Sequence, residues 1–111
     1  MKINYLQKKV LKRAIDQYGA DKQRLIVIEE LSELQKAIIK QIRKPCQENV
    51  GNIAEEIADV YIMLKQLEMM YGIGTAIQGN ISYKVKRLKK RLKEEKEQKQ
   101  DVALENLHKI A

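Results

Sequence analysis

Gly19, the single proline Pro45 and the Gly72/Gly74 pair divide this chain into four stretches in which apolar residues recur every three or four positions. That period belongs to a helix, because one face of a 3.6-residue turn collects positions i, i+3, i+4 and i+7. Between the breaks Lys, Glu, Leu, Ile and Gln dominate, all residues that favour or tolerate a helix. The fold class implied is all-α: an antiparallel bundle of about four helices.

The first helix is expected from Asn4 to Tyr18, with Leu6, Val10, Leu11, Ala14 and Ile15 on one side. Asp21 is placed to cap the second, since its carboxylate can accept from the free amides of a first turn. That helix carries Leu25, Val27, Ile28, Leu31, Leu34, Ile38 and Ile42 as its apolar stripe and should end before Pro45. Asn52-Ile-Ala-Glu55 has the form of a capping box, with a start near Glu48 as the alternative. The third helix is expected to turn Ile53, Ile57, Val60, Tyr61, Leu64, Leu67 and Tyr71 inward and to end at Gly72-Ile-Gly74. Thr75 with Gln78 would open the fourth, running to about Lys96. Residues 1–96 then form one helical domain, and 97–111 a polar tail or a short amphipathic helix.

With 111 residues and 44% apolar content the chain has material for one core. A single helical layer of this size is marginal alone. Leu6, Val10, Tyr61, Met63, Met69 and Met70 fall on differing sides of their helices. A homo-oligomer, dimer or tetramer, is therefore expected to complete the bundle. Cys46 is the only cysteine and His108 the only histidine, so no intrachain disulfide forms and no Cys/His metal set exists. No apolar run approaches the roughly 20 residues of a membrane span, and no signal-peptide pattern opens the chain. The expectation is a soluble cytoplasmic protein without membrane contact. The net charge of +7 is matched by residues 84–93, K-V-K-R-L-K-K-R-L-K, which hold seven basic side chains and no acid. Such a run suits phosphates, nucleic acid or an anionic surface, or forms a solvated face.

Two segments share one template. Residues 27–34, V-I-E-E-L-S-E-L, and 53–60, I-A-E-E-I-A-D-V, both read apolar, any, Glu, Glu, apolar, small, acid, apolar. At about 100° per residue, Glu30 and Glu56 fall near 300° from the first apolar residue of their block, and Glu33 and Asp59 near 240°. Each helix thus carries an i, i+3 acid pair along one edge of its apolar stripe, while Glu29 and Glu55 lie nearer the solvent side. Either block alone reads equally well as a solvated helix face, and Glu55 has a second use as the partner of an Asn52 cap. Two matched copies on an antiparallel hairpin put both pairs on one groove. Like charges about 4 Å apart at an effective dielectric near 20 repel by about 4 kcal/mol, so such a gathering needs an offset, which protons can supply and divalent cations supply better. An all-oxygen donor set without His or Cys selects a hard ion, Mg²⁺ or Mn²⁺, and departs from the Glu-x-x-His plan of di-iron bundles.

Glu29-Glu30-x-x-Glu33, followed after 22 residues by Glu56-x-x-Asp59, resembles the E-E-x-x-E … E-x-x-D signature of the MazG-like all-α nucleoside triphosphate pyrophosphohydrolases. The apolar run Asp59-Val60-Tyr61-Ile62-Met63-Leu64 suits that group, and the resemblance extends over residues 21 to 95. It implies a helical, usually oligomeric enzyme that converts a nucleoside triphosphate and water to the monophosphate and pyrophosphate with Mg²⁺. It further implies Glu30, Glu33, Glu56 and Asp59 as metal ligands, Glu29 as a residue that orients or activates water, and Lys84, Arg87 and Arg91 as phosphate-binding cations. Phosphoribosyl-ATP pyrophosphohydrolase, of similar size and acidic pattern, is the neighbouring alternative. A non-enzymatic nucleic-acid-binding helical protein and a purely structural assembly factor are the competing classes.

Overall fold

The computed structural model describes residues 2–110, and among these it is all-helical: four α-helices and no strand. Helix α1 spans Tyr5–Tyr18, α2 Ala20–Arg43, α3 Gln47–Tyr71 and α4 Gly74–Ile110. The chain forms two compact units that divide between Ile73 and Gly74.

In the first unit α2 and α3 form an antiparallel hairpin, and α1 packs on both. Asn4 starts α1 through a reciprocal capping box: its Oδ1 accepts from the Gln7 amide at 2.8 Å while Gln7 Oε1 accepts from the Asn4 amide at 2.9 Å. Gly19, at φ 92°, ends α1 and begins α2 in a single residue, a conformation that side chains disfavour. Asp21 is therefore not the cap. It sits inside the first turn, paired with Arg24, where its charge still complements the helix N-terminus. The hairpin turn is tied by side chains: Asn49 Nδ2 donates to the Lys44 carbonyl at 2.7 Å, and Gln41 Oε1 accepts from the Cys46 amide at 3.2 Å. With the turn fixed there, α3 begins at Gln47. The Asn52–Glu55 capping box does not form, and the earlier of the two expected starts is the one adopted. Gly72 closes α3 in the left-handed conformation.

The core of this unit departs from the expected stripes. Buried against α3 is an α2 seam of Gln23, Val27 and Ala37, with Glu30, Leu34 and Gln41 half-buried along it. Leu25, Ile28, Leu31, Ile38 and Ile42, expected inside, are exposed. On α3 the buried positions are Asn49, Val60, Met63 and Gln66, whereas Ile57, Leu64 and Tyr71 are exposed. Helix α2 thus carries two seams of alternating three- and four-residue spacing. Its more apolar one, Ile28-Leu31-Gln35-Ile38-Ile42, is not the one used within the first unit.

Gln23 and Gln66, each 3% exposed, meet across the hairpin through an Nε2-to-Oε1 hydrogen bond of 2.8 Å. Sequence reading passed over both because neither is apolar. Changing Gln66 alone to leucine strands the Gln23 amide in the core and is expected to destabilise the unit by about 1–3 kcal/mol. The Gln23→Leu/Gln66→Leu pair should recover most of that loss, and urea denaturation of the three variants checks it.

The second unit is α4, 37 residues in one uninterrupted helix of about 55 Å. It begins at Gly74 rather than at a Thr75 cap, and it continues past Lys96 through the polar stretch to Ile110. Ala111 lies outside the described residues. No helix among the described residues is long and apolar enough to cross a membrane.

Candidate metal centre

The register of the hairpin builds the centre. The Gln23–Gln66 bond and the Gln41–Cys46 bond show that each step up α2 is a step down α3, which brings Glu30 level with residues 58–59. Glu30 lies three residues after Val27, and Glu56 lies four before Val60, so the same buried positions that hold the hairpin together carry these carboxylates inward. One oxygen each from Glu30, Glu56 and Asp59 lies within 4.8 Å of the others. Glu30 and Glu56 are half-buried and Asp59 is exposed. The group therefore has a protein side and a solvent side.

The electrostatics follow from that placement. Burial pushes the Glu30 carboxyl above the usual carboxylate range, with further upward contributions from Asp59, Glu56, Glu33 and Glu29 in that order. Glu56 is likewise raised, first by burial, then by Asp59, Glu33 and Glu55. Glu56 Oε2 is enclosed and has no hydrogen-bond partner. Buried polar atoms are nearly always partnered. A proton, an ordered water or a cation would satisfy such an acceptor, and only the cation would also offset the neighbouring acids.

The residues anticipated for the site divide into three sets. Glu30, Glu56 and Asp59 converge as expected. Glu33 stands outside that trio, with its carboxylate 3.3 Å from Lys36 Nζ one turn along α2, although it is near enough to raise both Glu30 and Glu56. Glu29 is exposed beside Glu30, and its charge reaches that carboxyl. Lys84, Arg87 and Arg91 belong to the second unit, where all three are exposed and the Arg87 guanidinium lies 5.7 Å from the centre of the Tyr83 ring.

An all-carboxylate trio in which Glu56 also has an enclosed, unpartnered oxygen fits a hard divalent ion, which binds oxygen ligands and keeps water on its open side. On α3, Asn52 lies one turn before Glu56, and Glu55 lies beside it. These two, with Lys40, Glu48, Asn49 and Gly51, line a polar cavity of about 420 Å³. The apolar cavity lined by Ile3, Val10, Leu11, Ala58, Tyr61 and Ile62 contains no carboxylate and has no part in this chemistry. Compared with protein-family models, with curated proteins and with solved structures, the chain matches none.

Proposed function

We propose that this chain is a Mg²⁺-dependent nucleoside triphosphate pyrophosphohydrolase, with Mn²⁺ as a competent substitute, working as a homo-oligomer that completes the helical bundle. The observation that carries the reading is the convergence of one carboxylate oxygen each from Glu30, Glu56 and Asp59, with Glu56 also carrying an enclosed oxygen, Oε2, that has no hydrogen-bond partner. The acid spacing that resembles the MazG-like signature supplies the reaction class.

Three carboxylates would hold the ion from one side, leaving the exposed Asp59 side open to triphosphate oxygens. A bound Mg²⁺ supplies charge neutralisation for those oxygens and lowers the pKa of water. Glu29, exposed beside Glu30, is placed to orient a water or accept its proton. The water oxygen bonds to the α-phosphorus, the bond from that phosphorus to the bridging oxygen breaks, and pyrophosphate leaves with the electron pair. Glu33 tunes the trio through its field and through the choice between Lys36 and the ion. No covalent nucleophile is required.

A second reading draws on α4. Residues 84–93 carry seven cations and no acid on a helix whose residues from 78 to 110 are all exposed, a surface suited to phosphates of a nucleotide or of a nucleic-acid backbone. One experiment tests both. A nucleotide panel with Mg²⁺ and Mn²⁺, phosphoribosyl-ATP included, is scored for monophosphate and pyrophosphate. Wild type should release both products. Asp59→Asn should lose turnover while its helical circular dichroism persists. Full activity in Asp59→Asn removes the enzyme reading; duplex DNA binding that falls steeply with salt, without nucleotide turnover, supports the second.

A further inference from the structure

We infer that the C-terminal end of α2 carries a binding cleft for a diphosphate group, formed by Lys36, Lys40, Arg43 and Lys44. These four cations, with Ile39, line an open cleft of about 420 Å³ in the first unit. All four are exposed. Lys36 meets the Glu33 carboxylate at 3.3 Å. Among the described residues, Lys40, Arg43 and Lys44 have no carboxylate within ion-pair distance. A helix C-terminus attracts cations by itself, and Lys40 and Arg43 in the last turn of α2 gain from that. The effect fades within one turn, so it does not reach Lys36, and it brings no counter-charge of full size to the others. The frame beneath the cations is fixed. The Lys44 amide donates to the Lys40 carbonyl at 2.9 Å, and the Lys44 carbonyl accepts from Asn49, itself only 5% exposed.

Charge and size select the ligand. A single phosphate group carries about −1.5 to −2 at pH 7, so one such group leaves two of the cations uncompensated, whereas two joined groups match all four. Lys and Arg hold phosphate oxygens through charge-assisted hydrogen bonds. Lys36 and Arg43 are separated by about 10 Å of helix axis, a compact set rather than the extended cationic surface that a nucleic-acid backbone follows. The cleft also continues the face that carries the acids. At about 100° per residue, Glu29, Glu33, Lys36, Lys40 and Arg43 all fall between about 160° and 240° past Val27. Lys36 belongs to both ends, since it lines the cleft and holds Glu33. Lys40 also lines the polar cavity that contains Asn52 and Glu55, the neighbours of Glu56 on α3. Helical side chains lean toward the N-terminus, which carries the ammonium groups of Lys36 and Lys40 back toward the trio. Resting on the proposed activity for its place in the reaction, the cleft takes the outer two phosphates, the half that leaves as pyrophosphate. Its cations then offset the charge that the leaving group gains.

Titration calorimetry with inorganic pyrophosphate in chelator reads the cleft without metal or turnover. Wild type should bind pyrophosphate about 10-fold more tightly than orthophosphate, and Lys40→Gln/Arg43→Gln should lose about 10-fold or more of that affinity with its helicity unchanged. Lys12→Gln/Arg13→Gln, which removes the same charge from exposed positions of α1, should retain it. Equal losses in the two pairs, or equal affinity for the two anions, overturn the inference. So does displacement of pyrophosphate by duplex DNA at equal phosphate concentration, which would mark a nucleic-acid surface. With Mg²⁺ in excess, pyrophosphate should inhibit nucleotide hydrolysis competitively in wild type and about 10-fold more weakly in Lys40→Gln/Arg43→Gln. Turnover whose inhibition by pyrophosphate is unchanged in that pair removes the cleft from the reaction and leaves the proposed activity standing. Pyrophosphate bound in the cleft by a chain that hydrolyses no nucleotide removes the activity and leaves the cleft a diphosphate site.

Discussion

Glu56→Gln is expected to lose divalent-cation binding and turnover together, while the metal-free chain becomes no less stable than wild type. Glu56 belongs to the trio and carries an enclosed, unpartnered oxygen. Glutamine keeps its shape and removes its charge. Residues that merely orient a metal ligand change affinity by about 10–100-fold when altered, so loss of a ligand should weaken Mn²⁺ binding by about 100-fold or more. Most acid-to-amide changes at a hydrogen-bonded carboxylate destabilise a protein. This one should not, because burial and the neighbouring acids already disfavour the charged form. Titration calorimetry with Mn²⁺, pyrophosphate release and thermal melting in chelator read the three effects separately. Glu33→Gln is the comparison: its carboxylate faces Lys36 outside the trio, so its Mn²⁺ affinity should fall less than that of Glu56→Gln. Wild-type Mn²⁺ affinity in Glu56→Gln would remove the trio as a metal centre.

The distance between sequence and structure has a consistent physical origin. Helix type and the main breaks were legible because Gly19, Pro45 and Gly72 act on the local backbone. The two acid pairs were legible as well, since their angular positions depend only on helical pitch. The choice of core seam was not legible. Reading hydrophobicity alone selects Ile28, Leu31, Ile38 and Ile42 as interior, because they are the most apolar positions of α2. The fold instead buries Gln23 against Gln66 and Asn49 against the hairpin turn, pairings that span 43 and 5 residues and leave no periodic trace. Asp21 misled for a local reason: a left-handed-tolerant glycine can both end one helix and start the next, so no side-chain cap is needed. Glu33 was equivalent to Asp59 on the helical wheel. The structure distinguishes them: Asp59 joins Glu30 and Glu56, whereas Glu33 pairs with Lys36 one turn along its own helix.

In chelator, wild type should become more stable relative to Glu56→Gln as the pH falls from 7 toward 5, and Mn²⁺ should cancel that difference in the opposite direction at pH 7. The sign follows from the raised carboxyls. Glu30 and Glu56 titrate above their ordinary value of 4.5 in the folded chain, so between that value and the raised one the folded state binds more protons than the unfolded state. Stability contributed by these groups therefore falls as pH rises through the window, and is regained on acidification. A divalent cation does at neutral pH what the protons do below it. At a hundredfold excess over its dissociation constant, a ligand that binds only the native state adds about 2.7 kcal/mol, which corresponds to roughly 10 °C or more in Tm for a unit of this size. Protons and cation compete for the same oxygens, so the Mn²⁺ increment in Tm should shrink at pH 5. Equal increments at pH 5 and pH 7 would show that the ion binds somewhere other than Glu30, Glu56 and Asp59. A wild-type minus Glu56→Gln difference that grows with pH in chelator would show that the enclosed carboxyl is stabilised in its charged form by a group other than a cation.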